Sequence, residues 1–421
     1  MWRAWQLAAY IAVFAGVLGS QEPDQSRLDR FSEKVRQDLT GIPNYTCLET
    51  IERASRDPKA RTFKPVDTIR LEVSSVAGKE MFAWPGSRRF SDEDVSAMVT
   101  NGTIGTGMFS MFAPHLFTTP NSAWQYRGEE NLDGHTAVRY DYHLAAAQTG
   151  MHITTSGASE TVAAKGSFWF DPVSLDLLRV EVYGDHMPDD LHLEESVFWT
   201  NYARMHIGAT DALLPKRSEL TMTHFSGASS RNAMDFSNCR EYQSESTIRF
   251  DAPSPDVQEA PKPQVREVDL PDGLLVQVEL DSAIDSKSAV VGDALRGRVA
   301  REVLYNGKLL VPSGATVTGH LCKLERSAAR SAVGIQLSEI EWEGARAAFH
   351  GELFDLDRKS AGAHRPITYF DGHKDAAMID KSIPDAGVFF IDGARFRIAP
   401  GFHMVWRTAA HAAERRRNEL Y

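Results

Sequence analysis

Cysteine is scarce in this chain: 3 residues in 421, at positions 47, 239 and 322. So few exclude a multiply cross-linked scaffold and a cysteine-rich metal module. An excess of positive charge is missing as well. Lys and Arg number 46 against 57 Asp and Glu, and the formal charge of -11 argues against a general nucleic-acid binder. Long apolar runs are limited to Leu7–Leu18 near the N-terminus, which is shorter than the roughly 20 residues a membrane span requires. Familiar chemical motifs are absent too: there is no G-x-S-x-G elbow, no H-E-x-x-H pair and no P-loop. The segment Gly102-Thr103-Ile104-Gly105-Thr106-Gly107 lacks the lysine and the strand–helix setting of a phosphate cradle, and reads as a loop. These absences leave no catalytic residue, metal ligand or cofactor site to nominate from a motif.

What is present begins with an export signal. Arg3 precedes the apolar run, and Val17-Leu18-Gly19 leads into the polar Gln21-Glu22-Pro23-Asp24. A basic start, a dozen apolar residues and a small-residue boundary describe a secretory signal peptide over residues 1–20. The expected product is periplasmic or extracellular, with no stable transmembrane segment after cleavage. Hydrophobic residues at 42% and charged residues at 24% fit a folded soluble chain. At about 150 residues per domain, the length predicts two or three domains.

Local patterning supplies the organisation. Leu28, Phe31, Val35 and Leu39 recur at spacings of three and four, so a helix is expected between Ser26 as N-cap and Gly41 as its stop. Alternation then takes over: Ile69, Leu71 and Val73 around Arg70 and Glu72, then Leu178, Val180 and Val182 around Arg179 and Glu181. Period-two patterning puts one strand face inward and one in water, which favours antiparallel sheet. Ser91 to Phe117 interrupts the pattern and is expected to form a helical insert with an apolar face. Pro253, Pro255, Pro261 and Pro263 mark residues 252–269 as a linker, separating a module at 22–251 from one at 270–410. Residues 411–421 read as a solvated tail. Phe389-Phe390-Ile391 and Phe396-Arg397-Ile398 around Asp392-Gly393 predict a final hairpin.

Three constellations merit weighing. Cys47 and Cys239 sit at opposite ends of the first module; in an oxidising compartment they pair, and otherwise they are two buried thiols. His186, Asp189, Asp190, His192, Glu194 and Glu195 form the densest run of potential metal ligands; it suits a metal-assisted hydrolase, or simply a solvated loop with a charged strand edge. Trp84, Phe109, Phe112 and Phe117 belong to an apolar set that either fills a core or lines an apolar ligand pocket, with Phe109, Phe112 and Phe117 as its lid.

A helix followed by a long antiparallel sheet with one helical insert resembles the periplasmic lipoprotein-carrier (LolA-like) half-barrel over about residues 26–250. The segments PNYTCLETIER (43–53) and FSNCREYQSESTIRFD (236–251) are similar to segments of uncharacterised secreted bacterial proteins. In the second module, LVQVELDSAIDSKSAVVGD (275–293) and LLVPSGATVTGH (309–320) resemble the small β-barrel of conjugal-transfer TrbI-like proteins. The resemblances imply a mainly β chain with a few helices, made of a curved antiparallel half-barrel and a small β-barrel. They also imply a non-enzymatic envelope protein that binds an apolar ligand (a lipid or lipoprotein segment) or a protein partner. The alternatives are the metal-assisted hydrolase and a purely structural surface protein.

Overall fold

The fold comes from a computed structural model, which describes residues 25–242 and 265–409 apart from 88–89, 92–94, 100–101, 106–111, 119–123, 156, 327–328, 357–366, 369–382 and 384. The segments expected as signal peptide (1–20) and tail (411–421), most of the expected linker, and Phe109 lie outside the described residues.

Helix α1 (Gln25–Thr40) starts the described chain and buries Leu28, Phe31 and Val35 of the expected stripe, while its fourth member, Leu39, is half-buried and Ser26, expected as the N-cap, lies inside the helix. Strands β1 (Tyr45–Arg56), β2 (Lys64–Val76) and β3 (Lys79–Ala83) follow. Part of the expected insert is the short helix α2 (Phe112–Thr118). Then come β4 (Trp124–Leu132), β5 (His135–Leu144), a small hairpin of β6 (His152–Thr154) and β7 (Ser159–Thr161), and β8 (Ala163–Phe170). The half closes with β9 (Leu177–Asp185), β10 (Leu193–Ile207), β11 (Thr210–His224) and β12 (Ser229–Glu241).

All but the small hairpin join one 10-stranded sheet in the order β3-β2-β1-β12-β11-β10-β9-β8-β5-β4. Its registers are antiparallel and line up one continuous inner row: Ile69, Ile51, Met234, Ser218, Thr200 and Val180, then Phe168 and Tyr140. Every member is buried. The row is apolar except at its centre, where the Thr200 and Ser218 hydroxyls bond each other at 2.8 Å and so satisfy each other away from water. Helices α1 and α2 close over this face. Phe31 stacks on Phe170 and Phe168 at 4.1 and 5.5 Å between centroids, and Phe117 meets Phe31 edge-on at 5.6 Å.

The second half begins with β13 (Arg266–Glu267), β14 (Leu275–Leu280), β15 (Ile284–Asp285) and β16 (Ala294–Val299). It continues through β17 (Val303–Tyr305), β18 (Lys308–Val311), β19 (Thr316–Arg326), β20 (Arg330–Trp342) and β21 (Ala345–Ala348). The last strands are β22 (Gly351–Leu356), β23 (Ile367–Thr368), β24 (Ala386–Asp392), β25 (Arg397–Ile398) and β26 (Phe402–Thr408). The main path is β13-β21-β20-β19-β16-β14-β26-β22, and β24 pairs with the first part of β20, Arg330 to Gln336, on the flank that β21 takes further along. The sheet curls until Gly387 of β24 meets β22; a Cβ there would stand 2.5 Å from the Leu353 side chain. Trp406, Phe389, Phe402 and Phe349 fill the interior.

Two local expectations are corrected. Asp392-Gly393 does not close a hairpin: β24 pairs with the long β20, and Arg397–Ile398 pairs with Ile284–Asp285 instead. In these pairings Phe389, Ile391 and Ile398 are all fully buried. At the linker's end, Arg266–Glu267 forms an edge strand parallel to β21 where no strand pattern was expected.

The halves are joined by specific contacts. Beyond the reach of β3, the open edge of β2 takes a parallel bridge from Val291: Arg70 N–H donates to Val291 O at 2.7 Å, and Val291 N–H donates to Thr68 O at 3.0 Å. Arg70 also pairs with Asp293 at 2.7 Å. Trp84 stacks on His320 of β19 at 4.3 Å, and burial lowers the pKa of that imidazole to about 3, so it stays neutral. Gly292, at φ 95°, lies between these contacts, where a Cβ would be 2.0 Å from the Arg70 carbonyl oxygen.

Candidate functional site: a cavity under helix α1

Where α1 ends, the helices leave part of the inner sheet face uncovered. A cavity of about 260 Å³ lies there. Its walls come from the end of α1 and the following loop (Leu39, Ile42), the start of α2 (Ala113, Pro114), and β10 and β11 (Tyr202, Leu213). The Ala77-Gly78 turn between β2 and β3 adds to the lining with Ser75, Tyr45 and Pro215, as do Thr40 at the end of α1 and Pro43 and Asn44 after it. Pro215 has no N–H to donate and pairs with Tyr202 at a register shift in the β10–β11 ladder, the kind of position a strand proline tolerates. The lining residues carry hydroxyl and amide groups but no ionised side chain. Burial, with Glu80 adding to it at Tyr45, pushes the Tyr45 phenol up; burial does the same at Tyr202, so both stay neutral.

A charged brace holds the α1 wall from outside. Lys34 and Arg204 both grip Asp38 and Asp176, at distances of 2.7 to 2.9 Å. Burial opposes ionisation of Asp176, but hydrogen bonds from Arg204 and Lys34 outweigh it and hold the carboxyl below its usual range. The opposite wall is tied by the Cys47–Cys239 disulfide, which links the neighbouring strands β1 and β12 where their register shifts. Of the two alternatives for these thiols, pairing is what the structure shows. Cys322 takes no part in this disulfide and is half-buried on β19.

Two residues along β1 from Cys47, Glu49 is fully buried, and neither carboxylate oxygen has a hydrogen-bond partner. Burial, with Glu80 adding to it, raises its pKa well above the usual carboxyl value. Its cross-strand neighbours are Leu71 and Phe236.

The apolar residues singled out from the sequence fall elsewhere. Phe117 is buried against Phe31, Phe168 and Trp124, and Phe112 is buried beside Tyr142. Neither lines the cavity, and Trp84 belongs to the junction between the halves. The His186–Glu195 run does not assemble a metal centre. His192 lies outside β10 at φ 56° with its ring against the Asp189 and Asp190 carbonyls, so it shares no strand face with Glu194. His186 turns to Asp185, which His143 and Lys165 also contact. The Lys165 hydrogen bond is the main reason that the Asp185 carboxyl is lowered to about 2. Among the described residues, no three His, Cys, Asp or Glu side chains converge to hold a metal ion.

Sequence reasoning missed the walls that matter. Leu39 and Ile42 were visible as apolar positions around the helix stop, and Tyr45 lay in a segment already singled out. Tyr202, Leu213 and Pro215 gave no signal, since their convergence depends on the β10–β11 register.

No protein-family model and no curated protein matches the chain. Among solved structures it is similar to a domain from Vibrio parahaemolyticus described as an outer membrane lipoprotein-sorting protein, at 12% identity and TM-score 0.27, covering 50% of this chain and 90% of that one. A DUF1329 family protein from Desulfovibrio piger gives 12% identity and TM-score 0.25, covering 52% and 93%. The lipoprotein LppX from Mycobacterium tuberculosis gives 11% identity and TM-score 0.19, covering 52% and 98%. The class of the chain therefore rests on its own architecture: a mainly β protein with one large antiparallel sheet covered on a face by helices and a second, curled sheet. Among the described residues, no helix is long and apolar enough to cross a membrane.

Proposed function

We propose that the chain is a non-enzymatic envelope protein that holds one apolar ligand, a lipid chain, in the cavity beneath α1. The observation that carries this reading is a cavity of about 260 Å³ whose lining residues include no ionised side chain. An apolar cavity of roughly 150 Å³ accommodates benzene, so this one has room for part of a single chain and none for several. Uncharged hydroxyls at Tyr45 and Tyr202 can orient a polar group without the desolvation cost of a buried charge. The disulfide suits the exported location that the N-terminal segment implies.

Titration with a fluorescent fatty-acyl probe tests the reading. Probe binding to the wild type and its loss in Ala113→Trp, with melting temperature retained, is the expected result. Equal probe binding in the filled variant would place the ligand elsewhere and overturn the assignment.

A further inference from the structure

In the second half, exposed apolar side chains gather at one end of the barrel. Strands β17 and β18 form a hairpin that, among the described residues, pairs with no other strand. Its turn, Asn306-Gly307, has φ of 52° and 73°, the left-handed pair that suits a two-residue hairpin. Leu304 and Leu309 stand directly opposite each other, as do Tyr305 and Lys308. Leu304, Tyr305 and Leu309 are 51%, 45% and 58% exposed. Two leucines held side by side in water on a projecting hairpin are a poor surface for an isolated molecule.

The same end carries a concave feature. A groove of about 530 Å³ runs between the Pro312–Thr316 turn and Glu341–Gly344, with half-buried Trp342 in its wall and exposed Glu343 at its side. Hydrogen bonds fix this proximity. Val299 N–H donates to Ala315 O at 2.8 Å, and Thr316 of β19 pairs with Glu341 of β20. Exposed Leu275 belongs to this end as well, because Ala300 N–H bonds Gln277 O two residues further along β14.

We propose that this end of the barrel is an interface for a second copy of the chain, with each hairpin seated in the other copy's groove. The complementarity is in both shape and charge. The hairpin offers a leucine pair and Lys308, while the groove offers Trp342 and the exposed Glu343. Because hairpin and groove share one end, a two-fold axis makes the hairpin–groove contact twice, which is the requirement for a closed self-complementary dimer. A bilayer fits less well: the exposed Glu343 and the chain charge of -11 oppose an anionic surface.

Sedimentation equilibrium of the full chain over a concentration series tests the proposal. The wild type is expected to dimerise reversibly. Leu309→Asp, Lys308→Glu and Glu343→Lys should each raise the dimer dissociation constant by about tenfold or more. All three positions are exposed, so circular dichroism should be unchanged. The Lys308→Glu/Glu343→Lys double variant restores the ion pair with its polarity reversed and should recover most of the wild-type affinity. A monomer at the highest concentration reached, a dimer indifferent to all four variants, or a monomer that floats with anionic vesicles through Leu309 would each overturn the proposal.

Discussion

Glu49 offers the sharpest test of the packing account. Its carboxyl is fully buried on the inner sheet face with both oxygens unpartnered, and burial, reinforced by Glu80, raises its pKa well above the usual value of 4.5. The folded protein therefore keeps a proton that the unfolded chain gives up above the ordinary carboxyl range. Glu49's contribution to stability is fully present below pH 4.5 and lost as pH rises toward the folded-state pKa. The slope approaches about 1.4 kcal/mol per pH unit within that window. Two substitutions separate the effects. Glu49→Gln removes the proton linkage but leaves a buried polar group without a partner. Glu49→Leu removes both, and relieves a further penalty of about 1–3 kcal/mol. In urea melts at several pH values from 4 to 8, both variants should gain on the wild type as pH rises, with Leu above Gln throughout. A Gln variant that tracks the wild type at every pH, or a Leu variant less stable than wild type at pH 7, would refute the reasoning.

Other outcomes follow from the same contacts. Removing the Cys47–Cys239 link, whose cysteines lie 192 residues apart, should cost about 5 kcal/mol in the chain-entropy account, read from melts of a double Ser variant. Gly292→Val should break the junction between the halves, because its Cβ meets the Arg70 carbonyl; hydrogen exchange should then rise at the Arg70 amide while both interiors stay protected. Phe117→Ala removes a ring buried among Phe31, Phe168 and Trp124, and should lower stability by about 3–5 kcal/mol in denaturant melts.

Much of the first half was legible because its signals are local. Leu28, Phe31 and Val35 announce the face of α1, and the alternation at Ile69, Leu71 and Val73 announces the buried face of β2. What escaped depends on partners far apart in sequence. The pairing of β24 with β20, and the bridge from Val291 to the edge of β2, answer to which strand edge is open rather than to any pattern within either segment. The cavity was missed for the same reason. Aromatic residues of the insert drew attention as its expected lining, yet large rings such as Phe117 bury best by filling space. The vacant volume lies where smaller side chains, Ala77, Ala113 and Pro114, face Leu213.

Native mass spectrometry of the protein purified without detergent measures the central claim most directly. A single lipid bound at one-to-one stoichiometry, absent from Ala113→Trp prepared in parallel, is the predicted result. A wild-type protein that carries no adduct and takes none up from fatty-acyl donors would contradict the account.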